Sequence, residues 1–151
     1  MISCNFVAQD VFMRKEYPNI FGKVFLTVDI DKKNEWVHND WIGYLTRDNV
    51  QFGALAYLNA VRESGFSCVL NDNSKVLGSW DHSLEWTAKE WVPLAAKAGL
   101  KYFAMIVSPD SLAESSVLSF ANLITSFEVK VFSNITDAKS WLRYHSLGAK
   151  V

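Results

Sequence analysis

From residue 66 onward, short apolar runs alternate with longer stretches of helical period. The runs are Cys68-Val69-Leu70, Lys101 to Val107, and Val129 to Phe132. Each is followed by a stretch too long for a turn, so successive strands cannot be joined as hairpins. They must lie parallel and be linked by right-handed crossovers. No other feature restricts the fold as much. Lys101 to Val107 is nearly continuous in apolar residues, the pattern of a central strand covered on both faces.

The stretches between strands read as helices. Thr46 and Asp48 offer N-caps for a helix from about Asn49 to Ser64, with Val50, Ala54, Leu58 and Val61 on one stripe. Phe52, Leu55 and Tyr57 widen that face, and Gly65 stops the helix. Ser79, Asp81 or Ser83 caps a second helix, whose stripe is Leu84, Ala88, Trp91, Ala95 and Ala98. Pro93 falls inside it and predicts a kink or two short helices. A third helix starts at Ser108-Pro109-Asp110-Ser111 and runs to about Ser126. Thr136 or Asp137 caps a final one bearing Ala138, Trp141 and Leu142.

Ahead of the alternation, Lys23 to Ile30 and Glu35 to Leu45 are strand-like runs joined by polar Asp31-Lys32-Lys33-Asn34, which reads as an antiparallel hairpin. Residues 1–21 are weakly patterned and read as an N-terminal arm, in which Val11-Phe12-Met13 reads as a short strand or a packed arm, with a core over 22–147. There is no internal repeat and no linker, so a single domain over 1–151 is expected: an α/β mixed sheet with a leading β-hairpin followed by alternating helices and parallel strands.

Fifteen basic and sixteen acidic side chains leave a net charge of -1. That balance offers nothing to nucleic acid or an anionic membrane. Asn5, Gln9, Asp10 and Arg14 interrupt the N-terminal apolar residues, so neither a signal peptide nor a bilayer-spanning run is expected, and the location expected is cytoplasmic. Cys4 and Cys68 belong to no Cys-x-x-Cys motif, and Cys68 reads as a buried free thiol.

The stretch Cys68 to Trp80 is the most polar strand exit in the chain, and ligands of open α/β sheets gather outside the carboxyl ends of parallel strands. Asp72, Ser74, Ser79, Trp80 and Trp86 are the binding or regulatory candidates there. No catalytic residue, metal ligand or cofactor is expected. Asp72, Ser79 and His82 are the best material for an enzyme site, but no Gly-x-Ser-x-Gly elbow fixes them in place. His38 and His145 are isolated, without ligand spacing.

The element order resembles the STAS, or SpoIIAA-like, domain. Val69-Leu70-Asn71-Asp72-Asn73 followed by Gly78-Ser79-Trp80 is similar to small bacterial proteins grouped as STAS-like. Glu85-Trp86, Trp91-Val92-Pro93, Gly99 to Ala104 and Ala138 to Leu142 fit the same group, and the resemblance covers residues 22–145. It implies a non-catalytic regulatory or protein-interaction module. In the anti-sigma-factor antagonists of that family, a serine opening the helix after this strand is phosphorylated. Ser79 is the best positional match here, with Gly78 in place of the family's aspartate and Trp80 in place of a small residue, and Ser74, earlier in the same exit, is a second candidate. As a simple cap, Ser79→Ala would cost about 1 kcal/mol and Ser79→Asp would be nearly neutral.

Two further expectations concern the aromatic residues. Trp80, Trp86 and Tyr102 suggest an alternative function, a small-molecule or lipid-binding domain with an apolar pocket. The hairpin's second strand carries large apolar side chains on both faces, which predicts a homodimer burying Trp36 or Trp41, the alternative being that residues 1–21 fold over the hairpin and cover it.

Overall fold

The computed structural model describes residues 12–146. Six strands lie side by side in chain order in one sheet: β1 (Phe12–Pro18), β2 (Val24–Asp31), β3 (Trp36–Gly43), β4 (Cys68–Val76), β5 (Tyr102–Ile106) and β6 (Glu128–Phe132). β1, β2 and β3 pair antiparallel, and β3 to β6 pair parallel. The predicted hairpin is β2–β3. Asp31 closes its turn: its carboxylate accepts the Asn34 N–H at 2.9 Å, its carbonyl accepts the Glu35 N–H at 2.8 Å, and Glu35 takes a left-handed φ of 59°. The part of the expected arm over residues 1–11 lies outside the described residues. Residues 12–18 are a strand of the sheet, because the backbone groups of β2 on that side find their partners there.

Helix α1 (Arg47–Ser64) joins β3 to β4. Thr46 caps it reciprocally with Asn49, and Gly65 ends it at φ 71° with its N–H on the Val61 carbonyl. Segment α2 joins β4 to β5 and runs without a break over residues 81–97, as a 3₁₀ turn (Asp81–Ser83), an α turn (Leu84–Trp86), a π turn (Thr87–Trp91) and an α stretch (Val92–Lys97). Pro93 is absorbed rather than breaking the helix. The π turn lets the Val92 N–H reach back to Thr87, and proline opens the α turn that follows, where its missing donor costs least. Helices α3 (Leu112–Leu123) and α4 (Ile135–Ser146) complete the chain. The cap of α4 is Asn134, whose side-chain oxygen accepts the Asp137 N–H at 2.9 Å, and not Thr136 or Asp137.

Each parallel crossover links neighbouring strands with the same hand, so α1, α2 and α3 share one face. The larger core lies there, around Leu26, Trp41, Tyr57, Trp91, Phe103 and Phe120. Among the described residues no strand follows β6, so α4 is not a crossover, and it covers the other face. There Ala138 and Leu142 seal Trp36, Cys68, Leu70, Ala104 and Ile106. Cys68 is a buried free thiol, and burial pushes its pKa up. Cys4 lies outside the described residues.

The α1 stripe of Val50, Ala54, Leu58 and Val61 is buried together with Tyr57. Phe52 and Leu55, read as widening that face, are instead 59% and 42% exposed. Gly53 marks the closest approach of α1 to the sheet. A Cβ placed there would stand 2.5 Å from the Trp41 ring and 2.8 Å from Leu26. Alanine at a helical glycine normally gains about 1 kcal/mol. Here the overlap reverses the sign, and Gly53→Ala is expected to lose about 1–2 kcal/mol. A urea midpoint equal to or above wild type would show that α1 can stand off the sheet.

Candidate functional site

The polar stretch after Leu70 does not leave the sheet. β4 continues through Asn71, Asp72 and Asn73, exposed by only 4%, 6% and 4%, to Val76. Buried polar groups persist only with partners, which here come from β3 and from β4 itself. Asn71 accepts the Trp41 Nε1–H at 2.9 Å and an Asn39 N–H at 3.3 Å, and donates to Asn73 at 2.8 Å. Asp72 accepts the Ser74 N–H at 2.8 Å, and the register against β3 slips there. Between the pairs Asp40–Asp72 and Ile42–Lys75, β4 has two residues, Asn73 and Ser74, where β3 has one, Trp41. Ser74 is half-buried, and its carbonyl accepts the Ser108 hydroxyl at 3.1 Å.

The true exit lies at Leu77, Gly78 and Ser79. Leu77 donates its N–H to the Gly43 carbonyl, and Gly78 lies under the Tyr44 ring. Ser79 is exposed, whereas Ser116 on α3 is fully buried. Ser116 accepts the Trp80 N–H at 3.0 Å and gives its one hydroxyl proton to the Asp81 carboxylate at 2.7 Å. The 3.1 Å contact between the two serine oxygens is therefore a donation from Ser79 to Ser116. Ser79 in turn accepts the Asp81 N–H at 3.2 Å. This closed ring ties the start of α2 to α3. Trp80, not Ser79, holds the N-cap position, without a side-chain bond. Ser79, one residue earlier, accepts the first N–H of the turn and donates its own proton to Ser116.

The remaining candidates are not brought to this ring as a common site. Trp80 is 6% exposed and packs on Phe120, so its indole is core rather than interface. Its Nε1 is buried with no hydrogen-bond partner among the described residues. It lines a cavity of about 30 Å³ with Asn71, Asn73 and Thr87. Trp86 is half-buried and lines a separate surface depression of about 330 Å³ with Arg47, Gln51 and His82. Tyr102 stacks on His145 and meets Trp141 on the α4 face. Trp80, Trp86 and Tyr102 therefore share no pocket. Nor do Asp72, Ser79 and His82 form a catalytic constellation. By strand alternation Asp72 faces the α4 side with Leu70, and the His82 ring is held between the Leu45 carbonyl at 3.0 Å and the Ser83 hydroxyl at 2.7 Å.

A polar strip across the open part of the α4 face is a feature the sequence reading missed. His38 stands opposite Asp29 across the β2–β3 ladder, and Asp40 opposite Asp72 across β3–β4. Burial lowers the His38 pKa against the pull of Asp29, Asp40 and Asp72, and burial raises that of Asp29. Lys75 reaches Asp40 at 3.0 Å, and that hydrogen bond raises the lysine's pKa. His38 is thus not isolated. Period two along β3 already grouped it with Asp40, but only pairing to β2 and β4 supplies the other carboxylates. Among the described residues no group of three or more His, Cys, Asp and Glu side chains could hold a metal ion, and no helix is long and apolar enough to cross a membrane. A scan against protein-family models matches none, and a search of curated proteins likewise finds no match.

Proposed function

We propose that this chain is a non-catalytic protein-interaction module whose regulatory point is the ring around Ser79. The observation that carries the reading is the setting of Ser79. It is exposed at the passage from β4 to α2, and beside it Tyr44 and Leu77 stand 76% and 56% exposed. Large apolar side chains left in water beside a modifiable hydroxyl favour a docking surface over a catalytic cleft. The anti-sigma-factor antagonists that the chain resembles carry their phosphorylated serine at this point of the fold. A phosphate on Ser79 would remove the proton given to Ser116 and bring negative charge beside Asp81. It would open the ring rather than order it. Catalysis gains no support from the serines, since no histidine reaches either of them among the hydrogen bonds of the ring. The small-molecule or lipid-binding alternative rests on a cavity of about 30 Å³ at Trp80. That is room for about one water.

Ser79→Ala is expected to lose about 1 kcal/mol, the worth of a cap. Ser79→Asp is expected to lose about 1–2 kcal/mol rather than being neutral, because it deletes a donor and sets two carboxylates together. The functional test is capture of partners from the source cell by wild type, Ser79→Asp and Leu77→Asp. Proteins that both substitutions release support the reading. Recovery of the same proteins by all three would retire it.

A further inference from the structure

β1 closes one side of the sheet, and its outer edge is unpaired among the described residues. An open edge presents a row of backbone donors and acceptors, and it calls for cover, charge or a partner. β6, at the opposite side, is only five residues long, whereas β1 has seven. The side chains of β1 divide by face. Met13, Lys15 and Tyr17 line a groove of about 380 Å³ with Phe52, Leu55 and Glu63 of α1. Arg14 and Glu16 lie on the other face, 3.9 Å apart, with side chains 55% and 57% exposed.

We propose that a second copy of this chain pairs with β1, edge to edge and antiparallel, across a two-fold axis at Lys15. A two-fold axis normal to the sheet keeps each face on its own side. It therefore allows only registers that are centred on a residue. Centred on Lys15, the register sets Arg14 opposite Glu16 of the second copy, and Glu16 opposite its Arg14. It also sets Met13 opposite the second copy's Tyr17, a sulfur–aromatic contact over each groove. Centring on Arg14 or on Glu16 would put like charges on the axis and lose both ion pairs. The cost of the chosen register is Lys15 against Lys15, which opposes pairing. The Glu63 that each groove brings to the same face offsets it. This surface does not involve the ring at Ser79, and the inference stands apart from the regulatory reading. It also replaces the expected dimer through Trp36 or Trp41. Those rings are 1% and 5% exposed within one chain, and β2 and β3 are interior strands.

Charge exchange tests the register. Sedimentation at micromolar concentration is expected to show wild type at twice 17.1 kDa. Arg14→Glu alone and Glu16→Arg alone should each be monomeric, because each faces like charges across the axis. The double variant Arg14→Glu/Glu16→Arg should dimerise again, since the swap restores both pairs. A mixture of the two single variants should form a heterodimer. The substituted side chains are exposed, so all the variants are expected to fold, and far-UV circular dichroism checks this. A monomeric wild type would overturn the proposal and leave the edge to another occupant, the chain's own residues 1–11 among them. A dimer that survives both single reversals would overturn it too, by placing the interface elsewhere.

Discussion

Trp91→Ala is expected to lose about 4 kcal/mol, the middle of the range for truncating a buried aromatic side chain. Trp91 is completely shielded in the middle of the main core. Its ring meets Tyr57, Phe103 and Phe127 at centroid separations of 5.2, 5.9 and 6.3 Å, mostly edge to face. These contacts join α1, β5 and the approach to β6 through a side chain of α2. Truncation removes the burial and leaves a space that rigid neighbours on a sheet cannot close. It also strips the Ala54 carbonyl of the Nε1–H it accepts at 2.8 Å. Trp91→Phe keeps most of the ring contact and loses the donor, so about 1–2 kcal/mol is expected from it. Urea unfolding of the two variants separates packing from hydrogen bonding. Equal losses would mean that the Ala54 contact, not the ring, sets the value of this residue.

Asn71→Leu should lose about 3 kcal/mol although it adds an apolar side chain of similar size to a buried position. Each buried polar group left without a partner costs about 1–3 kcal/mol, and the leucine returns part of this through its own burial. Three groups lose their partner at once: the Trp41 indole, the Asn39 amide and the Asn73 side-chain oxygen. A double-mutant cycle makes the assignment. Trp41→Phe should cost clearly less in the Asn71→Leu background than in wild type, because the donor it removes has then already lost its acceptor. Additive costs would show that Asn71 does not hold the Trp41 indole.

Asn71 also marks where local reading of the sequence stops. Asn71, Asp72 and Asn73 have low strand propensity, and the apolar run readable in the sequence stops at Leu70. They remain in β4 because Asn39 and Trp41 meet Asn71 from 32 and 30 positions earlier. No window along the chain contains both sides of that bargain. Ser79 shows the same limit. Its bond to the Asp81 N–H spans only two positions, but the proton it gives to Ser116 crosses 37 and turns a neutral aspartate substitution into a costly one.

The sequence by itself determined what depends on neighbours close in the chain. The alternation after residue 66 required parallel strands with crossovers, and the polar turn at Asp31 required the hairpin β2–β3. Thr46 and Gly65 set the ends of α1. These follow from period, propensity and capping, which are properties of a few consecutive residues. Only the tertiary structure decided that β1 joins the sheet as its edge, that α4 covers the face opposite the other helices, and that Trp36 and Trp41 are sealed inside one chain. It also drew His38 into a strip with Asp29, Asp40 and Asp72. The physical reason is common to all of these. Burial and hydrogen-bond satisfaction are decided by which distant strands and helices become neighbours, and that choice minimises exposed apolar surface and orphaned polar groups over the whole chain at once.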